Sequence, residues 1–158
     1  ASSIRQTDEV LFQEMLAINL AAPFFLTREF ARHCKNGAIV NILDTKIFAN
    51  DSDYAAYYLA KKALAELTKM AALEFAPDIR VNAIAPGPTI PTAGSGMSEF
   101  DRETIAAIPL KRTAGTENIT RALLHLLEND FITGHILTVD GGESLTAGSG
   151  PVQSRIPT

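Results

Sequence analysis

The apolar positions of this chain change their period several times, and each change marks an element. Over residues 7–34, Val10, Leu11, Met15 and Ile18 recur at helical spacing. Thr7 reads as the N-cap, and Asp8 and Glu9 fall in the first turn, where negative charge suits the helix dipole. Pro23 predicts a kink or a split in this helix, and Asn36-Gly37 ends it. Residues 38–43, AIVNIL, are a short apolar run after a glycine and read as a buried strand. A second helix fits 53–76, closed by Pro77, and IRVNAIAP, residues 79–86, reads as a buried strand stopped by Pro86-Gly87. Residues 88–98 are rich in Pro, Thr, Ser and Gly and read as a mobile loop before a short helix over 99–107. A helix over 116–128 has Thr116 as its expected N-cap and carries Ile119, Leu123, Leu126 and Leu127 mostly on one face. HILTVD, residues 135–140, gives a third strand ended by Gly141-Gly142, and 143–158 reads as a flexible tail ordered only by another subunit.

Strands that alternate with helices predict an α/β fold: a doubly wound parallel sheet with helices on both faces. Three strands are few for such a sheet and leave at least one edge to be paired. There is no internal repeat.

Composition narrows the function classes. The 158 residues suffice for one domain with a real core, and 46% hydrophobic with 20% charged residues is ordinary for a globular chain. A formal net charge of -4 argues against a nucleic-acid partner, which calls for clustered Lys and Arg. The single cysteine, Cys34, allows no disulfide within the chain, which suits a reducing, cytoplasmic setting. His33 stands next to it, but His125 and His135 have no ligand spacing, so no metal site is expected. No apolar run approaches the roughly 18 residues of a membrane span, and ASSIRQTDE is no signal peptide, so no membrane partner is expected.

The stretch SDYAAYYLAKKALAEL, residues 52–67, carries the candidate chemistry. Tyr57 and Lys61 are four apart and share a helix face, and a nearby ammonium favours the phenolate. A tyrosine so tuned gives or takes a proton near neutral pH. Tyr58 and Lys62 offer the same spacing one residue on, and either pair also fits an ordinary helix surface.

Tyr57, Lys61, Ala63 and Leu64 match the Tyr-x-x-x-Lys-x-Ala-Leu pattern of the short-chain dehydrogenases/reductases, in a register that Tyr58 would break. Asn19 in AINLAAPFF, the strand IVNI, IRVNAIAPGPT at 79–89 and TGHILTVDGG at 133–142 resemble further family motifs in the family's order. The resemblance covers roughly residues 7–145 and implies the C-terminal, catalytic part of a Rossmann-type sheet. It also implies roles. Tyr57 and Lys61 serve catalysis and bind the nicotinamide ribose, and Asn19 holds a water that passes protons to Lys61. Pro86, Gly87, Thr89 and Ile42 line the cofactor. The loop 88–100 closes over substrate, with Gly94 and Gly96 as hinges and Met97 and Phe100 as apolar cover.

The family usually places a serine 13 residues before the tyrosine, and here that position is Asp44. Pteridine and dihydropteridine reductases form a subgroup with aspartate there. Tyr54, the ending VDGGESLT and Ala1-Ser2-Ser3 also resemble that subgroup, although Ile4 stands where its members carry an aromatic residue. Reducing a pterin C=N bond needs a hydride on carbon and a proton on nitrogen, and a carboxyl beside Tyr57 can relay that proton where a serine only hydrogen-bonds. Asp44 alone also reads as a turn cap at a strand end. The resemblance thus implies catalysis by Asp44, Tyr57, Lys61 and Asn19, substrate contacts from Asp44, Tyr54, Met97 and Phe100, and NADP(H) as cofactor, with NAD(H) not excluded.

No Gly-rich turn between a strand and a helix is present to meet a pyrophosphate. The family carries that turn upstream, so the expectation is one incomplete Rossmann-like domain, 1–158, whose nucleotide-binding half is absent. The alternatives are a general carbonyl or 3-oxoacyl reductase, and a non-catalytic fragment that keeps the fold for assembly. Family members pair through the helices that correspond to 7–34 and 53–76. Both carry apolar residues on more than one face here, which points to a homodimer or homotetramer.

Overall fold

The computed structural model describes residues 2–50, 53–90 and 99–146, without the side chains of 99–101. The elements run α1 (Glu9–Leu16), a π-turn (Ala17–Ala21), α2 (Ala22–His33), β1 (Gly37–Ile42), a 3-10 turn (Thr45–Phe48), α3 (Ala55–Phe75), β2 (Ile79–Pro86), α4 (Glu99–Ala107), α5 (Thr116–Glu128), β3 (Ile136–Val139) and α6 (Glu143–Thr146). The strands form one parallel sheet in the order β1-β2-β3.

The alternation along β2 assigns its two faces. Ile79 and Val81 pack with Ala71 and Ala72 of α3 and with Phe30 of α2. Ala83 and Ala85 join Leu43, Leu64 and Ala65 on the same side. Ile84 points the other way, into a cluster with Ala122 and Leu126 of α5. Helices therefore cover both faces, as the alternating pattern requires. The buried stripe of α3 includes Ala56, Ala60, Leu64, Thr68 and Ala72, mostly small residues at fourfold spacing, which let the helix lie close on the sheet. Asn41 Nδ2 donates to Thr68 Oγ1 at 3.0 Å, both buried, and Thr68 Oγ1 donates to the Leu64 carbonyl. That bond fixes the height of α3 against β1, the two elements that carry the candidate chemistry.

Several expectations are corrected in detail. Asp8, not Thr7, caps α1, with its carboxylate accepting from Leu11 N at 2.8 Å. Thr7 Oγ1 instead bonds Ser2 Oγ and the Ser3 carbonyl. Gly115, not Thr116, is the N-cap of α5, and Asn118 Oδ1 accepts from Gly115 N. The break in the first helix falls before Pro23, because proline has no N–H for the carbonyl four residues back, that of Asn19. The turn widens there, and Ala22 N bonds the Ala17 carbonyl, five residues back. The 143–158 tail is also not uniform, since Glu143–Thr146 form a helical turn. Residues 147–158 lie outside the described residues.

The run Glu9–His33 is, by length and composition, long and apolar enough to cross a membrane, against the expectation that no stretch would be. Here it lies alongside α3, and few of its residues are buried.

Two glycines are required by close approach. A Cβ at Gly87 would sit 2.7 Å from Asp140 Cβ, and Gly141, at φ +64, would meet Ile108 at 2.8 Å. On the far side of β2, Asn82 is fully buried: its Nδ2 donates to Ile132 O at 2.8 Å and its Oδ1 accepts from His135 N at 3.0 Å. Arg80 donates to the carbonyls of Leu126, Leu127 and Ile132, which ties the end of α5 to the entry of β3.

Candidate active site

The site forms where β1 ends and α3 begins. Leu43 continues the sheet bonding to Ile84 O, and Asp44 follows in an extended conformation. The two oxygens of its carboxylate have separate partners. Oδ1 accepts from Lys46 N at 2.8 Å and caps the 3-10 turn. Oδ2 accepts from the Tyr57 hydroxyl at 3.0 Å. The two meanings the sequence allows for Asp44, turn cap and partner of the tyrosine, are therefore both realised, one on each oxygen.

Tyr57 and Lys61 stand beside the buried Ala56–Ala60–Leu64 stripe, so both are half-buried. Lys61 Nζ lies 5.7 Å from the Tyr57 ring centre and donates to the Ile42 carbonyl at 2.9 Å. Tyr58 and Lys62 take other places: Lys62 Nζ bonds Asn50 Oδ1 at 2.8 Å.

The electrostatics differ from the sequence expectation of a lowered tyrosine pKa. Burial, and then the adjoining Asp44 carboxylate, raises the Tyr57 pKa well above that of a free phenol. The Lys61 ammonium bonds a backbone carbonyl rather than the phenol, so it does not reverse this. Burial lowers the Lys61 pKa, and the Asp44 charge partly opposes that shift. At neutral pH the site presents a protonated phenol bonded to a carboxyl group, beside an amine whose charge burial disfavours. Such a trio can hold a proton and pass it on.

A cavity of about 470 Å³ opens at Tyr57, lined by Ser2, Thr7, Leu11, Met15, Tyr54 and Ala56. Tyr54 takes a left-handed backbone conformation at the start of α3, φ 58 and ψ 34, and is 51% exposed. A non-glycine residue held there is strained and marks a candidate contact. Its ring lies 6.2 Å from that of Tyr58, which in turn lies 5.6 Å from that of Tyr57.

The other expected residues are placed as follows. Asn19 lies in the π-turn, and its amide donates to Met15 O at 3.1 Å. Pro86 closes β2, Gly87 N bonds Val139 O, and Thr89 Oγ1 donates to Gly87 O at 2.9 Å. Ile42 contributes its carbonyl, and the residue is 47% exposed. Ile42, Pro86 and Gly87 lie at the C-terminal ends of parallel strands, where open α/β sheets take ligands. Met97 and the Phe100 side chain lie outside the described residues. Among the described residues no three metal-binding side chains come together.

Sequence reasoning missed part of the wall. Leu11 and Met15 read as generic core positions and Thr7 as a cap, yet all three line the cavity. The four-residue spacing of Leu11 and Met15 on one helix face was the available signal. Glu143 was missed as well: its carboxylate reaches Thr45 Oγ1 at 3.1 Å and Lys46 Nζ at 3.0 Å, beside the Asp44 turn.

A family model described as Enoyl-(Acyl carrier protein) reductase matches residues 1–144. The short-chain dehydrogenase/reductase homolog YusR of Bacillus subtilis is 31% identical over 125 residues, 77% of this chain and 97% of that protein. Two solved structures superpose well. FolM alternative dihydrofolate reductase 1 from Brucella canis, complexed with NADP, gives a TM-score of 0.84 at 31% identity, over 98% of this chain and 64% of that one. A 4-hydroxyisoleucine dehydrogenase complexed with NADH gives 0.84 at 30% identity, over 91% and 63%. The chain spans only 44% to 62% of four further curated relatives. With the Tyr57–Lys61 pair on α3 and the parallel sheet beneath it, these matches show that the chain belongs to the short-chain dehydrogenase/reductase family.

Proposed function

We propose that this chain supplies the catalytic part of an NADPH-dependent reductase acting on a pterin or dihydropterin. The carrying observation is the 3.0 Å bond to Asp44 from the hydroxyl of Tyr57, a residue that lines the cavity. Once Tyr57 has given its proton to a ring nitrogen, a carboxylate in that position can take a proton from solvent and hand it to the phenolate, which a serine hydroxyl does poorly. The solved FolM structure, described as an alternative dihydrofolate reductase and holding NADP, supports this reading. NAD(H) remains compatible, since the 4-hydroxyisoleucine dehydrogenase structure holds NADH.

The donors at the strand ends fit the nicotinamide end of such a cofactor. Lys61 Nζ, the Tyr57 hydroxyl and the Thr89 hydroxyl are hydrogen-bonding groups suited to a ribose and a carboxamide. When bound, the cofactor supplies the hydride. Tyr57 holds the proton, Asp44 accepts the phenol's hydrogen bond, and Lys61 supplies a nearby ammonium. Asn19 is assigned the water that feeds Lys61. Tyr54 and the cavity wall hold the substrate ring, with Met97 and Phe100 as its cover. The adenosine and pyrophosphate cradle is not built from these residues, because no Gly-rich strand-to-helix turn is among them.

Leu11 and Met15 in the cavity wall favour a second reading, a general carbonyl or 3-oxoacyl reductase. The test is NADPH oxidation by the protein with dihydrobiopterin, dihydromonapterin and a panel of ketones. The pterin reading expects turnover with at least one pterin, lost in Asp44→Ser. Turnover with ketones alone, kept or raised in Asp44→Ser, would replace it with the second reading. We further assign a cytoplasmic homodimer or homotetramer. Val10, Ile18 and Leu26 on the first helical run and Leu59, Met70 and Leu73 on α3 are all more than half exposed, which supports association through these helices.

A further inference from the structure

We infer that Glu143 is a positioning residue for the Asp44–Tyr57 pair, acting from the far end of the chain through Thr45 and Lys46. The inference rests on the reading of Asp44 and Tyr57 as the proton-handling pair. Asp44 must present Oδ2 to the phenol while Oδ1 caps the turn behind it, so the position of that turn sets the geometry of the pair. The turn is only four residues long, and a 3-10 turn of that length has little stability of its own.

Glu143 clasps it with both oxygens. Oε2 accepts from the hydroxyl of Thr45, which is 4% exposed, at 3.1 Å. Oε1 accepts from Lys46 Nζ at 3.0 Å. These are the two residues that follow Asp44. The Glu143 side chain is 14% exposed, so its carboxylate is largely shielded from water even though the Lys46 side chain is 41% exposed.

Glu143 is itself held. Its N–H bonds the Asp140 carbonyl at 3.2 Å, and the Asp140 carboxylate accepts from Gly142 N at 2.9 Å and Ser144 N at 2.7 Å. A side chain at Gly87 would close on Asp140 and come within 3.1 Å of Glu143 Oε2. One carboxylate thus joins the turn after β1 to the turn after β3, beside the exit of β2. Glu143 is not among the residues that line the cavity at Tyr57, so its effect on reaction passes through the placement of Asp44.

The test uses the protein as it is, with Glu143→Ala, Glu143→Gln, Lys46→Met and Thr45→Val. The first readout is amide hydrogen exchange over 45–49, with α5 amides as internal control. The second is the ¹³Cζ resonance of Tyr57, assigned by its loss in Tyr57→Phe, which reports the hydrogen bond to Asp44. Glu143→Ala should speed exchange at Lys46 and Ile47 by about tenfold or more and shift the Tyr57 resonance, with α5 unchanged. Lys46→Met and Thr45→Val should each give part of that effect, and Glu143→Gln should restore most of it. With a turned-over substrate, kcat should fall on the order of 10- to 100-fold in Glu143→Ala while KM changes little. Unchanged turn exchange and an unchanged Tyr57 resonance in Glu143→Ala would overturn the inference. If Glu143→Ala does not fold, the same two readouts in Lys46→Met and Thr45→Val decide. If no substrate is turned over, the functional reading fails, while exchange and resonance still judge the placement of the turn.

Discussion

Replacing Asp44 by Asn and by Ala separates its two bonds. The Asp44→Asn side chain would keep the shape and an oxygen for Lys46 N, and asparagine caps as well as aspartate, so the turn should hold. The group facing Tyr57 would become an NH₂ donor, and the phenol would lose its acceptor. Exchanging a bond to a charged group for a neutral one costs about 1 kcal/mol. Ala removes the cap as well, at about 1 kcal/mol more, and leaves the half-buried phenol to water. The expected losses are about 1 kcal/mol for Asp44→Asn and about 2–3 kcal/mol for Asp44→Ala. For a domain of this size they correspond to Tm losses of about 2–4 °C and about 4–12 °C. Activity should not follow that order. Both variants remove the proton partner, so the pterin-reduction rate should fall on the order of 10²- to 10⁴-fold in each. Thermal melts give the first pair of numbers and initial rates of NADPH oxidation the second. Asp44→Asn turning over a pterin within about threefold of the parent rate would refute the relay. Equal Tm losses in the two variants would refute the division of labour between the two oxygens.

Three further outcomes are expected. Tyr57→Phe should expose the pKa shift as a pH dependence of stability: the folded state keeps this proton above pH 10.0, the ordinary phenol value, where the unfolded chain releases it. The Tyr57 contribution is therefore fully present below that pH and declines above it, by up to about 1.4 kcal/mol per pH unit. Urea unfolding of parent and Phe variant at pH 8, 10 and 11 should show their difference shrinking only above pH 10. Asn82→Ala strips the partner from His135 N, leaves Ile132 O with Arg80 alone, and opens a small void. It should cost about 2–4 kcal/mol in urea unfolding, and a loss below about 1 kcal/mol would count against the buried latch. Gly87→Ala drives a methyl into Asp140, including its backbone at 2.9 Å, and should cost about 1–3 kcal/mol in the same assay.

The parts of this structure that were legible in the sequence are those governed by local periodicity. The run IRVNAIAP has small and β-branched residues bounded by Pro86-Gly87, and it is β2 to the residue. The Tyr57–Lys61 spacing sits on α3 as a helix dictates. What was not legible depends on distance through the fold. The direction of the Tyr57 pKa shift was misjudged, because spacing brings Lys61 near the ring but cannot tell that its ammonium bonds the Ile42 carbonyl. Caps were misassigned at Thr7 and Thr116, where the neighbours Asp8 and Gly115 take the position. Glu143 looked like the start of a tail because its partners, Thr45 and Lys46, are nearly a hundred residues away.

The π-turn at Ala17–Ala21 sets the rotational phase of the whole first helical run. At about 100° per residue, Met15 and Thr27 on an unbroken α-helix would point about 120° apart. A π-turn absorbs one extra residue, which brings that offset down to about 20°. Met15 can then line the cavity beside Tyr57 while Thr27 is buried where α2 meets β1. The cavity wall is thus specified by residue count as much as by residue identity. Deleting one residue of the turn would shift the phase of Leu11 and Met15 relative to α2 by about 100°, away from Tyr57.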